Sequence, residues 1–182
     1  MNKKRKDNMT GIEEYKRIYE MLDAVSPLSY DCGKLCGAVC CRDESFDDGS
    51  GPYIYLLPGE KEYLESLGAD LHIEKKLSAD HCLPASFGKY VYVTYCKGPG
   101  DCDRSIRPVQ CRTFPLAPYI TKEGDLAVSF YDEELPYVCP LIKERRRLSR
   151  EFIQAVLDAW SILIGDVAIR DLVLMDSVRV ST

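Results

Sequence analysis

Residues 32–41 read CGKLCGAVCC, and residues 96–118 read CKGPGDCDRSIRPVQCRTFPLAP. These two stretches decide the fold, because neither can be ordinary helix or strand. The first packs Cys32, Cys36, Cys40 and Cys41 into ten residues and continues as RDESFDDGSGP, rich in Gly, Asp and Ser. Residues 31–52 are therefore expected to be irregular, with Gly33 and Gly37 letting the backbone turn tightly after a cysteine. The second holds four prolines, which exclude a long helix or a central strand.

Regular structure is legible on either side. Thr10 and Glu13 have capping-box spacing, and Ile12, Tyr15, Ile18, Tyr19, Leu22 and Val25 recur at helical intervals, predicting a helix over 11–25. Residues 53–57, YIYLL, form a short β-type run. Pro58 then opens a helix with Glu60 and Glu62 in its first turn and Gly68 beyond its end. Residues 71–77 suit strand or helix, whereas YVYVTY at 90–95 is the clearest strand. Residues 119–122 and 126–131 flank Glu123-Gly124-Asp125 as a hairpin. Pro140 can start a helix, and Ser149 is an N-cap for an amphipathic helix ending at Gly165, with a further short helix after Asp166.

The expectation is a small single α+β domain over 10–182: helices around a short sheet and hairpin, with the two Cys-rich loops organised by a metal site. Residues 1–9, with four consecutive cations from Lys3 to Lys6, read as a disordered basic tail. The 182 residues are 46% hydrophobic and 29% charged, as in an ordinary globular chain. Lys plus Arg number 24 against 29 Asp plus Glu, a net charge of −5. Such a chain lacks the cation excess that phosphate contacts require, so nucleic acid is not an expected partner. No signal peptide and no run of about 18 apolar residues is present, so a cytoplasmic protein without a membrane partner is expected.

In that compartment thiols stay reduced, and an odd total of nine cysteines argues against a closed disulfide set. Several thiolates in one loop repel each other unless a cation neutralises them, so metal ligation is the first explanation and buried or redox-active cysteines the alternative. Adjacent Cys40 and Cys41 reach disulfide geometry only with strain. They also point in different directions, so at least one ligand is expected from Cys102, Cys111 or Cys139. Arg107 and Arg112 flank Cys111, where cations favour the thiolate and can donate hydrogen bonds to ligand sulfurs, though ordinary salt bridges are the competing role. His72 and His81 read as surface residues, and the aromatic strand 90–95 as a sheet face.

CGKLCGAVCC, Leu57-Pro58-Gly59-Glu60, Arg107-Pro108, Cys111-Arg112 and Phe114-Pro115, with Cys139 in YVCP, together resemble the YkgJ-like CxxCxxCC cysteine-cluster family, described as zinc- or iron-chelating. The likeness spans residues 30–142. The first motif has gaps of three and three residues where the family has two and two, and Cys102 stands about one residue closer to Cys111. The resemblance implies a metal or cluster site and says little about a reaction. One relative, the flagellin lysine N-methylase, carries a similar cysteine domain.

The candidate ligands are Cys32, Cys36, Cys40, Cys41, Cys102, Cys111 and Cys139. No C-x-x-C knuckle occurs, which speaks against a standard zinc ribbon or ferredoxin, and dispersed single cysteines favour an iron–sulfur cluster, [4Fe-4S] first, over zinc. A radical S-adenosylmethionine barrel is excluded by spacing, length and the lack of repeated βα units. Two function classes stand: an accessory, sensor or redox factor that binds metal, with a protein partner possible, or an enzyme using the site, such as a lysine N-methylase-like or redox activity. No nucleotide-binding motif supports the second.

Overall fold

The computed structural model of the chain describes residues 10–42, 53–96, 98 and 103–180, with side chains described as far as Ser177. The expected tail over 1–9, the acidic part of the first loop and Cys102 lie outside the described residues. The fold is a small α+β domain with seven α-helices and two antiparallel sheets among the described residues.

Helix α1 (Ile12–Asp23) buries Tyr15, Ile18, Tyr19 and Leu22, the i, i+3, i+4, i+7 face read from the sequence. Its cap sits one residue later than expected. Glu14 Oε2 accepts from the Gly11 amide at 3.1 Å, while Thr10 is withdrawn: its amide donates to Asp166 Oδ2 at 3.1 Å. The tertiary contact outweighs the local capping pattern because Asp166 also accepts from the Ala168 amide, joining the start of α1 to the start of the C-terminal helix in one buried turn.

The CGKLCGAVCC segment departs from the expected irregularity. Helix α2 (Gly33–Cys36) and a 3₁₀ turn (Val39–Cys41) order it. Asp31 Oδ1 accepts from the Gly33 amide at 2.8 Å and starts α2. Gly37 (φ 65°) and Ala38 (φ 53°) then reverse the chain in the left-handed region, so Gly37 but not Gly33 has the permissive role. Arg42 Nε donates to Gly37 O at 2.9 Å and clamps the reversal.

Strands β1 (Tyr53–Tyr55), β2 (Ile73–Leu77) and β3 (Tyr90–Tyr95) pair in the order β1-β3-β2, so YVYVTY is the central strand. Helix α3 (Glu60–Ser66) follows β1 as expected. Strands β4 (Leu116–Ile120) and β5 (Leu126–Phe130) form the hairpin, with β4 beginning three residues before its expected start and Pro118 paired to Val128. A two-stranded ribbon tolerates the proline because one side of each strand needs no partner.

Between the sheets lies helix α4 (Val109–Thr113), a single turn inside the proline-rich loop. Helix α5 (Pro140–Lys143) precedes α6 (Arg150–Leu163), where Ser149 Oγ accepts from the Phe152 amide at 3.0 Å, the expected cap. Helix α7 (Val167–Val180) is longer than a short tail helix. α1 packs on α3, α4 and α6, and α6 and α7 cover the hairpin. The buried side chains make one apolar core.

Candidate metal and thiol site

Cys111 is placed by its neighbours in α4. Val109 N donates to Glu60 Oε1 at 2.7 Å, and Gln110 Nε2 donates to the β1 carbonyl of Tyr55 at 2.7 Å. Arg112, its side chain fully buried, donates to Asp23 Oδ1 at 2.5 Å, to Arg107 O at 2.5 Å and to Arg104 O, and lies over the Tyr19 ring at 4.1 Å. One helical turn is thus tied to α3, β1 and α1, leaving the half-buried Cys111 at the edge of a cavity.

Glu60 is the other half of this lock. It is fully buried, and its Oε1 also accepts from Tyr19 at 2.8 Å while Oε2 accepts from the Leu57 amide at 3.0 Å. Burial pushes its carboxyl above the ordinary range, against the pull of the Val109 and Leu57 amides, Tyr19 and Arg112. The Leu57-Pro58-Gly59-Glu60 element and the Arg107–Pro115 element are therefore one physical unit. Arg112 is corrected from a flanking cation of Cys111 to an anchor directed at α1. Arg107 acts on other thiols than the Cys111 it was expected to serve: its charge pulls Cys32 and Cys41 down.

Four thiols line a cavity of about 630 Å³: Cys40, Cys41, Cys96 and Cys111. Cys40 Sγ and Cys41 Sγ are 3.9 Å apart. Cys41 is pulled well below the usual thiol value by hydrogen bonds from Cys40 and then Cys96. Cys40 is pushed up, first by that same bond and then by burial, with Cys111 and Cys32 near enough to add to the shift.

Cys32, half-buried, is raised by burial, then by Asp31, Cys36 and Cys139. Tyr137 lies within the field of Cys40, Cys139, Cys111 and Cys41, which raise it further after burial has done so. Of the seven sequence candidates, six therefore gather in one region: Cys32, Cys36, Cys40, Cys41, Cys111 and Cys139. Cys102 lies outside the described residues. Cys36 Sγ approaches Cys32 O at 4.0 Å.

Sequence reading missed Cys96. It closes β3, and the register that pairs Tyr95 with Tyr53 carries the next residue toward the thiol loop. The signal was its position directly after the clearest strand. Cys82 is exposed and does not line this cavity. His72 stacks on Tyr95 and sits 3.3 Å from Glu74, His81 packs edge-on to Tyr53, and neither histidine lines this cavity.

Among the described residues no three Cys, His, Asp or Glu side chains stand close enough to grip one metal ion. The donor set nevertheless suits a soft cation, since Cys40, Cys41, Cys96 and Cys111 line the cavity, with Asp70 and Asp103 also on its border. Two thiolates on one tetrahedral ion, each about 2.3 Å from it, lie about 3.8 Å apart, which the Cys40–Cys41 separation approaches. No helix among the described residues is long and apolar enough to cross a membrane. Comparison with family models, with curated proteins and with solved structures found no match.

Proposed function

We propose that this chain is a thiolate metal-binding protein of the cysteine-cluster kind, acting in the cytoplasm as an accessory, sensor or redox factor. The observation that carries the reading is the convergence of both Cys-rich segments, with Cys40, Cys41, Cys96 and Cys111 lining one cavity together with Arg107. Uncompensated thiolates in such a cluster would repel, and a bound cation removes that cost. The Cys40–Cys41 spacing suits two ligands of a single tetrahedral ion such as zinc. The meeting of thiols from both loops, Cys40 and Cys41 with Cys111, together with Cys96, supports the reading the sequence favours, an iron–sulfur cluster.

Anaerobic purification with metal analysis and a visible spectrum tests this. About one equivalent of colourless zinc, or brown protein with charge-transfer absorption, is the expected result. Well under one equivalent of zinc or iron, with no response to added metal, overturns it. Cys111→Ser should lower metal content and melting temperature together, whereas His72→Ala should change neither. A Cys111→Ser protein with full metal and unchanged melting reduces Cys111 to a packing residue.

An enzyme working at this site, through protein lysine N-methylase-like or redox chemistry, is the alternative. It draws on the roomy cavity beside the sulfurs, and binding of a methyl donor to purified protein discriminates it.

A further inference from the structure

Cys41 stands between two other thiols. Its sulfur accepts a hydrogen bond from Cys96 as well as from Cys40, whose Sγ is 3.9 Å away. The three cysteines come from two places in the chain. Cys40 and Cys41 close the 3₁₀ turn that follows the Gly37-Ala38 reversal, and Cys96 comes directly after the last residue of β3. None of the three is fully buried, and all border the same cavity, so a small oxidant can reach them.

Two sulfur–sulfur bonds are open to Cys41, and strain decides between them. A Cys40–Cys41 disulfide closes a small ring through the peptide bond, which adjacent cysteines reach only by distorting the backbone. That backbone is already committed: the Cys41 amide donates to Ala38 O at 2.9 Å and the Arg42 amide to Val39 O at 3.3 Å. Cys96 approaches from another segment, so a bond to it leaves the turn intact and is free of the ring strain.

We propose that Cys41 and Cys96 are a peroxide-sensing pair that closes into a reversible disulfide, Cys41 attacking and Cys96 resolving. The Cys41 thiolate attacks one oxygen of a hydroperoxide. The O–O bond breaks, Cys41 becomes a sulfenic acid, and the other oxygen leaves as an anion that takes a proton to give water or an alcohol. The Cys96 sulfur then attacks the Cys41 sulfur. The S–O bond breaks, and the departing hydroxide leaves as water with the Cys96 proton. The two sulfurs lose two electrons in all and the peroxide gains them. A thiol reductant reverses the bond by exchange. The pair goes beyond the thiolate metal reading, since it needs no metal to form. Where a metal is held, the disulfide withdraws two sulfurs from the cluster, so oxidation expels the ion.

The probe is hydrogen peroxide, added to the reduced full chain as purified and again after a chelator has stripped any metal. The remaining thiols are then alkylated, and crosslinked peptides are mapped by mass spectrometry. A Cys41–Cys96 crosslink is expected, with the loss of about two free thiols per chain and full recovery in dithiothreitol. Cys96→Ser should abolish the crosslink and leave Cys41 as a sulfenic acid trapped by dimedone, whereas Cys82→Ser should leave the crosslink in place. Absence of a crosslink in both wild-type samples overturns the proposal. So does a wild-type crosslink that joins Cys41 to Cys40 instead, whether or not Cys96→Ser folds. Metal content of the sample as purified separates the two readings. Full metal without a crosslink, before or after chelation, overturns the pair alone, and a Cys41–Cys96 crosslink in protein that never takes up metal overturns the thiolate metal reading alone.

Discussion

Glu60 shows how much one residue can carry. On the sequence it is a first-turn acid placed to suit a helix dipole, a role that concerns surface charge. In the fold it is fully buried and accepts from Tyr19, Leu57 and Val109, so it holds α1, the α3 entrance and α4 together. Glu60→Gln keeps the shape but turns one acceptor oxygen into an NH₂ that must face a donor. Each hydrogen bond to a charged group contributes about 1.5–3 kcal/mol, and the substitution loses at least one. Urea denaturation should show a lower midpoint with an unchanged slope, and an unchanged midpoint would remove Glu60 from this role. Arg112 is a parallel case: a cation beside a cysteine in the sequence, a buried anchor in the structure.

At the scale of elements, the turn into α3 is the tightest joint. Gly59 has φ 85°, and a Cβ there would lie 2.1 Å from Thr10 O and 3.2 Å from the Tyr15 ring. Gly68, at the other end of α3, has φ 67° but open space around it. Gly68→Ala should therefore cost only the left-handed strain, about 1–2 kcal/mol. Gly59→Ala adds a backbone collision that cannot relax without parting α1 from α3, so its cost should exceed that of Gly68→Ala by at least about 2 kcal/mol. Thermal melting of the two variants side by side checks this, and equal losses would contradict it. Helices α1 and α6 and the strand YVYVTY were legible because their periodicity is local. The ordering of CGKLCGAVCC was not, because it rests on Gly37 and Ala38 in left-handed conformations and on the Arg42 clamp.

For the whole molecule, the core and the thiol region stand in different positions. The core joins α1, α6 and α7 through Tyr15, Leu22, Phe152, Trp160 and Ile169, all buried. The segments around Cys32–Cys41 and Arg104–Cys111 carry fewer buried apolar side chains. If thiolates there bind metal, chelation should lower the melting temperature and speed amide exchange over 31–42 and 103–113, while exchange in α1 and α6 changes little. Uniform loss of protection over the whole chain, or none, would refute that division.

By itself the sequence determined the α+β class, the amphipathic faces of α1 and α6, the Ser149 cap, the hairpin and the thiol character of the candidate site. Each rests on residue type and short-range spacing, which the chain carries before it folds. Only the tertiary structure decided that Cys96 joins Cys40, Cys41 and Cys111, that Arg112 turns toward Asp23, that Glu60 becomes the link between two distant motifs, and that an aromatic cavity opens beside the sulfurs. Those outcomes depend on which segments meet across many residues of chain. Such meetings are set by burial and by the pairing of buried polar groups, which leave no periodic mark on the sequence.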